Sequence, residues 1–152
     1  MIQRKQTIFL FLAVVASVVC MSLPIGVFEP EGMGISWQVF NLWAVNNAEK
    51  ATVFTPAPLF ALLLLETTVA FLDIFAYKKR VMQARMCTLC MWLIVAWYIY
   101  YAVLAFVLMP ENTTFKADFA ACLPFVAVIL LIMARRGIRA DERLVRAADR
   151  IR

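Results

Sequence analysis

The sequence predicts an all-α membrane protein built as an antiparallel four-helix transmembrane bundle. Three observations predict this fold. First, 64% of the 152 residues are hydrophobic and the mean hydropathy is +0.83, which is more apolar surface than one small water-soluble core can bury. Second, the apolar residues fall into four long segments. Third, the basic residues gather on one side of those segments, which predicts that both termini are cytoplasmic.

Each of the four apolar segments approaches the length of roughly 20 residues that a helix needs to cross a bilayer. They cover residues 7–23, 53–77, 86–109 and 117–134. The first is interpreted as a span and not as a cleaved signal peptide, because no small-x-small site follows it cleanly. The remaining residues are too few for a separate globular domain, so the chain is predicted to be a single four-span domain with a cytoplasmic tail at 135–152.

The positions of the basic residues predict the orientation. All but two of the fifteen lysines and arginines lie at segment ends that share one side, and only Lys50 and Lys116 lie on the other. The positive-inside rule makes the basic side cytoplasmic. The net charge of +5 is therefore a signal of topology, and no nucleic-acid partner is expected.

The first outer connection, at about residues 24–52, is predicted to contain a short hairpin. Residues 35–39 alternate between apolar and polar side chains, which is the period of a strand. In the alternative interpretation, Trp37, Phe40 and Trp43 form one stripe of an interfacial helix, with their rings at the depth of the lipid headgroups. The strand is favoured, and the three aromatic residues are the predicted contact residues of this outer loop.

After residue 134 the sequence changes to RRGIRADERLVRAADRIR. Its apolar residues recur at helical spacing between arginines, which predicts an amphipathic basic helix. This helix could lie on an anionic inner leaflet, where each basic residue contributes about 1 kcal/mol, or it could dock onto a cytoplasmic partner. Leaflet binding is favoured because it needs no further assumption. The docking residues concerned are Arg135, Arg136, Arg139, Arg143, Arg146, Arg150 and Arg152.

Both ends of the chain resemble one protein family. The segments MIQRKQTIFLFLAVVA and ARRGIRADERLVRAADRIR are similar to the termini of small four-span inner-membrane proteins of Bacteroidota, which are catalogued as a domain of unknown function. The resemblance covers the whole chain in length and in number of spans. It implies a multi-pass protein of the bacterial inner membrane, and it implies no activity and no functional residues.

Two carboxylates are the strongest functional lead in the sequence. Glu66 and Asp73 interrupt the apolar second segment and share one helix face because they are seven residues apart. An acid at this depth costs about 2.5 to 3.5 kcal/mol on an insertion scale. Asp73, about 10 Å nearer the cytoplasm at 1.5 Å per residue, is expected to pair with Lys78 or Arg85 at the inner interface.

Glu66 falls near the predicted midplane, where no span carries a lysine, an arginine or a histidine. We expect it to be protonated and to donate a hydrogen bond to a polar group at its own depth. The candidate partners are Ser17, Trp97, Tyr98 and Tyr101. A protonated acid that joins helices is the simplest role, and a proton or ion relay through Glu66 and Asp73 is the functional alternative.

Cys87 and Cys90 form a C-x-x-C motif at the start of the third segment. In outline this resembles the quinone-linked membrane enzymes that oxidise thiol–disulfide carriers. However, Arg80 and Arg85 place the motif at the reducing cytoplasmic face, and the outer loops lack a second cysteine pair. A zinc site is not expected because the chain has no histidine, and no cofactor is predicted.

The motifs of the common enzyme classes are absent from the sequence. The chain is therefore predicted to be a non-enzymatic accessory or scaffold subunit that binds a membrane-protein partner or another copy of itself. The alternative is a small proton-coupled transporter or channel that uses Glu66 and Asp73. A thiol–disulfide membrane oxidoreductase that uses Cys87 and Cys90 is the third possibility.

Overall fold

Four α-helices make up most of the part of the chain that the computed structural model describes, namely residues 3–30, 36–46, 51–76, 80–107 and 113–149. A short 3-10 helix at Phe119–Cys122 leads directly into the last of them. The four helices are α1 Gln3–Ser22, α2 Ala57–Phe75, α3 Arg80–Phe106 and α4 Leu123–Asp149.

Three helical stretches are long and apolar enough to cross a membrane. They are Ala57–Phe75, Arg80–Phe106 and Phe119–Val145, and the shorter apolar helix Gln6–Ser22 accompanies them. Large apolar side chains also cover their outer faces. So much outward-facing apolar surface is unfavourable in water but suits a hydrocarbon environment. The length and the surface of the helices are therefore those of a membrane protein.

The bounds of α2 and α3 differ from those that the apolar pattern predicts. Val53 belongs to a strand and does not open the second span. Helix α2 begins after Pro56, with Pro58 in its first turn, where a missing N–H loses no helical hydrogen bond. Helix α3 begins at Arg80, well before residue 86, because its first turns bury Gln83 and Ala84 against neighbouring residues.

The helices pack through small side chains. Helix α1 contacts α2 and α4, and α3 contacts the same two helices. Four fully buried alanines lie in the core that the helices share. Side chains of this size let helix backbones approach closely. These alanines are Ala13, Ala70, Ala127 and Ala134.

The helix predicted after residue 134 is present over its described residues, where it continues α4 without a break past residue 135. Ile138 is fully buried, and the Gln6 amide of α1 donates to the Asp141 carboxylate. Arg80 of α3 donates to the backbone carbonyl of Asp141 at 3.1 Å. The first two turns of the predicted tail therefore pack against α1 and α3. Only one face of this part of α4 points outward.

Strands from the α1–α2 and α3–α4 connections form a single five-stranded antiparallel sheet. The strands are β1 Gly26–Pro30, β2 Trp37–Val39, β3 Ala44–Asn46, β4 Thr52–Val53 and β5 Thr113–Ala117. Their order in the sheet is β4-β3-β2-β1-β5, with the short β4 on one edge and β5 on the other. The strand interpretation of residues 37–39 is confirmed and the helical alternative is wrong. The predicted hairpin is part of a larger sheet that also includes the second outer connection.

Strand β1 joins the two connections because it pairs on both of its edges. Val27 lies opposite Gln38 of β2 and opposite Lys116 of β5. Lys116 also forms an exposed salt bridge with Glu29 at 2.5 Å, and exposed pairs of this kind contribute at most about 1 kcal/mol. The pairing of β1 with β5 therefore rests on backbone hydrogen bonds and on the packing of Phe28 against Phe115.

Asn41 joins the sheet to three helices from the turn between β2 and β3. Its side-chain amide donates to the Cys20 carbonyl of α1 at 2.7 Å and accepts from the Trp97 indole of α3 at 3.0 Å. Its backbone carbonyl accepts from the Phe60 amide in the first turn of α2 at 3.2 Å. The Cys20 carbonyl and the Phe60 amide belong to helix ends, which lack helical partners. A single fully buried asparagine thus provides the hydrogen-bond partner of one polar group on each of the three helices.

We expect Asn41→Ala to lower the thermal stability of the detergent-solubilised protein. The change leaves the buried Trp97 indole N–H and the Cys20 carbonyl without partners, at a cost of about 1 to 3 kcal/mol for each. Thermal unfolding followed by circular dichroism measures the effect. Gln38→Ala, at an exposed position of the same sheet, is the control. An equal thermal unfolding midpoint for the two variants would show that the hydrogen bonds of Asn41 do not stabilise the fold.

Candidate functional site

Glu66 and Asp73 both face the protein interior from one side of α2. The buried positions of this helix recur every three or four residues, at Leu59, Leu63, Glu66, Ala70 and Asp73. This spacing is that of one helix face, and both acids are fully buried on it. The sequence prediction that the two carboxylates share a face is confirmed.

The Glu66 carboxyl has few hydrogen-bond partners. The Thr67 hydroxyl is 3.5 Å from Oε2 but only 2.7 Å from the Leu63 carbonyl, so its single proton goes to the carbonyl. Among the described residues, Glu66 Oε1 has no hydrogen-bond partner. Ser17 of α1 faces the carboxyl, yet its Oγ makes no hydrogen bond of standard geometry there. A serine and a glutamate therefore meet inside the protein with unused hydrogen-bonding capacity.

Asp73 is bonded by α3 and not by a basic side chain. The Cys87 thiol donates to Asp73 Oδ2 at 3.1 Å, and the Gln83 amide donates to the Asp73 backbone carbonyl at 3.2 Å. Oδ1 has no hydrogen-bond partner within the described ranges. The predicted ion pair with Arg85 is wrong, because Arg85 is exposed and no described basic residue forms a salt bridge with Asp73. Lys78 lies outside the described residues.

The two cysteines of the C-x-x-C motif lie on the face of α3 that packs against α2. Both are buried and free. Cys87 contacts Asp73, and Cys90 Sγ is 3.8 Å from the backbone carbonyl of Glu66. Because a later residue of α3 meets an earlier residue of α2, the two helices run antiparallel. In the part of the chain that the structure describes, no three cysteines or acids are grouped closely enough to hold a metal ion.

Further polar side chains continue toward the basic end of the helices. Arg135 of α4 is half-buried, its charge lies near Cys87, and its Nε is buried without a hydrogen-bond partner among described residues. The bonded pair of Gln6 and Asp141 follows. We refer to these inward-facing groups together as the polar column: Ser17, Glu66, Cys90, Cys87, Asp73, Gln83, Arg135, Gln6 and Asp141.

Three of the partners predicted for Glu66 make their hydrogen bonds elsewhere. The Trp97 indole donates to Asn41, the Tyr98 hydroxyl donates to the Ala121 carbonyl at 2.8 Å, and the Tyr101 hydroxyl donates to the Ile25 carbonyl at 2.8 Å. The rings of Trp97 and Tyr101 also stack, with centroids 5.1 Å apart. These aromatic residues of α3 bond the sheet region and the segment that leads into α4. Of the four predicted partners, Ser17 is the one that faces Glu66.

The remaining predicted contact residues lie at the two ends of the molecule. Trp37 packs against the core beneath the sheet, and Phe40 and Trp43 contact each other with ring centroids 6.0 Å apart. Arg136, Arg139 and Arg143 are exposed on α4. The side chain of Arg146 and the whole of Arg150 and Arg152 lie outside the described part of the structure.

Sequence reasoning missed Asn41, Gln6, Gln83 and Asp141, which are all buried. The two glutamines carried a signal, because uncharged amides near the ends of apolar segments are suited to bond groups on a neighbouring helix. Asp141 carried none, since it is surrounded by arginines in a segment that looks fully exposed. Asn41 carried none either, because its partners come from three distant segments.

The fold and the polar column define a small, mostly helical protein with membrane-length helices that enclose two buried acids. The chain matches the family model described as a domain of unknown function (DUF4293) over residues 2–151, and it belongs to this family. The resemblance to a domain of unknown function is thus confirmed, whereas the taxon stays a prediction. No curated protein matches the chain.

The burial of the thiols predicts a specific labelling pattern. We expect a maleimide to modify Cys122, the exposed cysteine, in the folded protein and all four cysteines after denaturation. Mass spectrometry of the labelled chain measures this, and Cys122→Ser should abolish labelling of the folded state. Rapid labelling of Cys87 and Cys90 before unfolding would contradict the packing and would instead favour an accessible redox pair.

Proposed function

We propose that the protein crosses the bacterial inner membrane four times, with both termini in the cytoplasm, and moves protons through the polar column as a small proton-coupled transporter. The observation that carries this proposal is the pair of acids on α2. Glu66 and Asp73 are fully buried in a membrane-length helix, and each has a carboxyl oxygen without a hydrogen-bond partner among the described residues.

The proposed topology is supported by helix length and by charge. Helix α2 has 19 residues and is about 28 Å long at 1.5 Å per residue, close to the thickness of a hydrocarbon core. The apolar part of α1, Gln6–Ser22, is slightly shorter and serves as the fourth span with modest local thinning of the bilayer. Since basic residues concentrate at the end opposite the sheet, that end is cytoplasmic.

A purely structural role would explain the acids poorly. A buried acid that serves only to join helices is expected to have its hydrogen-bonding groups satisfied, and here the facing groups of Ser17 and Glu66 both have unused capacity. Ionisable groups inside a membrane commonly mark ion or proton pathways. Carboxyls are the groups suited to this task because the chain has no histidine.

The proposed pathway requires water between the two carboxyls. Glu66 and Asp73 are about 10 Å apart along the helix, which is too far for direct transfer of a proton. The unpartnered atoms Ser17 Oγ, Glu66 Oε1 and Asp73 Oδ1 are groups to which buried water bonds when a site is polar. A short chain of water molecules along α2 would then connect the two carboxyls.

The two halves of the interior favour a transporter over an open channel. On the cytoplasmic side of Glu66, the column contains polar groups as far as Gln6 and Asp141. On the sheet side, the interior is closed by Leu63, Ile94 and the Asn41–Trp97 hydrogen bond. In the proposed mechanism a proton would reach Glu66 along the polar groups of the cytoplasmic side, and access from the outside would require a rearrangement at the sheet. Such gating on one side at a time is typical of coupled transport.

We expect Glu66→Gln to abolish proton flux in proteoliposomes that contain a pH-sensitive dye and carry a potassium diffusion potential. Glutamine keeps the size and polarity of the side chain but cannot release a proton, and Asp73→Asn should act in the same way. Glu29→Gln, which alters an exposed acid of the sheet, is the matched control and should keep the wild-type rate.

Normal helix content and a single peak in size-exclusion chromatography must accompany the loss of flux. If folded Glu66→Gln and folded Asp73→Asn both conduct protons as fast as the wild type, the polar column is structural. A protein that shows no flux above that of empty vesicles would likewise exclude the proposal.

A second candidate is the accessory or scaffold role predicted from the sequence, and one observation favours it. Ala44 of β3 pairs with Val53 of the edge strand β4, and Trp43 and Phe54 directly adjoin these two residues in the chain. Trp43, Val53 and Phe54 are 38%, 42% and 63% exposed. Exposed apolar residues on an edge strand are typical of an interaction surface.

If this edge binds a partner, a defined membrane protein should co-purify with the native protein in gentle detergent at a fixed stoichiometry. Phe54→Glu should remove it, whereas Gln38→Glu, at an exposed position of the same sheet, and Glu66→Gln should keep it. Quantitative mass spectrometry of the purified samples measures the ratio. Retention of the partner by Phe54→Glu would show that the edge is not the binding surface.

A further inference from the structure

A groove of about 760 Å³ runs between α3 and α4 at the basic end of the helices. Its two walls differ in chemistry. The α3 wall includes the apolar side chains Leu89 and Trp92, and the α4 wall includes Arg135, Arg139 and Arg143. The groove is separate from the polar column, although Arg135 borders both.

The side chains of the α3 wall change in polarity with depth in the same order as the parts of a phospholipid. Arg85, Leu89 and Trp92 lie on one helix face, since they are separated by four and three residues. Leu89 and Trp92 are 50% and 68% exposed, and Trp92 lies about 10 Å further into the membrane than Arg85 at 1.5 Å per residue. This wall therefore changes from basic to apolar with depth, as a phospholipid changes from headgroup to acyl chain.

The α4 wall supplies a row of guanidinium groups. Arg135, Arg139 and Arg143 follow one another at intervals of four residues and so share one face. With Arg85 they place four positive charges around the groove, against the single acid Glu142 in its lining. The Nε of Arg135, at the inner end of the row, is buried and has no hydrogen-bond partner among the described residues.

We propose that this groove is a binding site for one anionic phospholipid, with the phosphate held by the α4 arginines and an acyl chain lying along Leu89 and Trp92. Guanidinium groups bind phosphate oxygens through paired hydrogen bonds. Basic pockets between membrane helices on the cytoplasmic side are suited to anionic headgroups. The apolar wall continues directly from the arginines, and this continuity selects a lipid over a free phosphate ion.

The site differs from a general attraction of the basic tail to the leaflet. Arg136 carries the same charge and is exposed, but it does not line the groove. Diffuse leaflet attraction depends on the number of charges and would treat Arg136 and Arg139 alike. Binding in the groove depends on Arg139 and not on Arg136.

Native mass spectrometry of the full-length protein in detergent tests the proposal, with phosphatidylglycerol and phosphatidylcholine of identical acyl chains as probes. We expect one bound phosphatidylglycerol, and weaker binding by about five-fold for Arg139→Gln and by about five-fold more when Arg143→Gln is added. Arg136→Gln is the matched control and should leave the affinity unchanged. Arg139 and Arg143 are exposed, so these variants should fold, and their thermal midpoints without added lipid verify this.

Three results would each overturn the proposal. The first is equal retention of phosphatidylcholine, which would mean that the groove does not select an anionic headgroup. The second is an equal loss of binding in Arg136→Gln, which would indicate diffuse attraction. The third is displacement of phosphatidylglycerol by inorganic phosphate at equal concentration, which would indicate a phosphate site to which the acyl chain contributes nothing.

Discussion

The position of the sheet on the helices depends on the hydrogen bonds of Asn41. This residue bonds the last turn of α1, the first turn of α2 and the Trp97 indole of α3. Cys20 and Trp97 are fully buried, so their bonded groups need partners within the protein. A change in the position of Asn41 would therefore alter the contacts of three helices at once.

The interior further from the sheet differs from the surroundings of Asn41 in how well its polar groups are hydrogen-bonded. Near the sheet, polar groups are paired, and the rings of Trp97, Tyr98 and Tyr101 pack against one another. From Glu66 toward the basic end, four buried side-chain atoms on α1, α2 and α4 have no hydrogen-bond partner among the described residues. Buried polar groups without partners are costly and concentrate at sites that bind water, ions or ligands. On this side of the molecule the unpartnered atoms lie beside bonded groups such as the Gln6–Asp141 pair and the Gln83 amide.

The sequence predicted features that depend on local periodicity and missed features that depend on distant contacts. The inward face of α2, with Glu66 and Asp73, and the strand at Trp37–Val39 follow from spacing alone. The fifth strand could not be predicted in this way, because Gly26 pairs with Ala117 across most of the chain. Asp141 looked exposed because of its basic neighbours, but its bond to Gln6 is set by the packing of α1 against α4.

The absence of the predicted ion pair between Asp73 and Arg85 shows why charge and proximity in sequence are weak guides to contacts in a helical core. Arg85 lies only a few turns from Asp73 along the chain, yet it faces outward while Gln83 and Cys87 face Asp73. A buried ion pair requires the desolvation of two charges, whereas a thiol and an amide are neutral and cost less to bury. Neutral partners also leave the protonation of the acid free to change without breaking a salt bridge. An acid that exchanges protons needs this freedom, and an arginine paired with Asp73 would remove it by holding the carboxylate in its charged form.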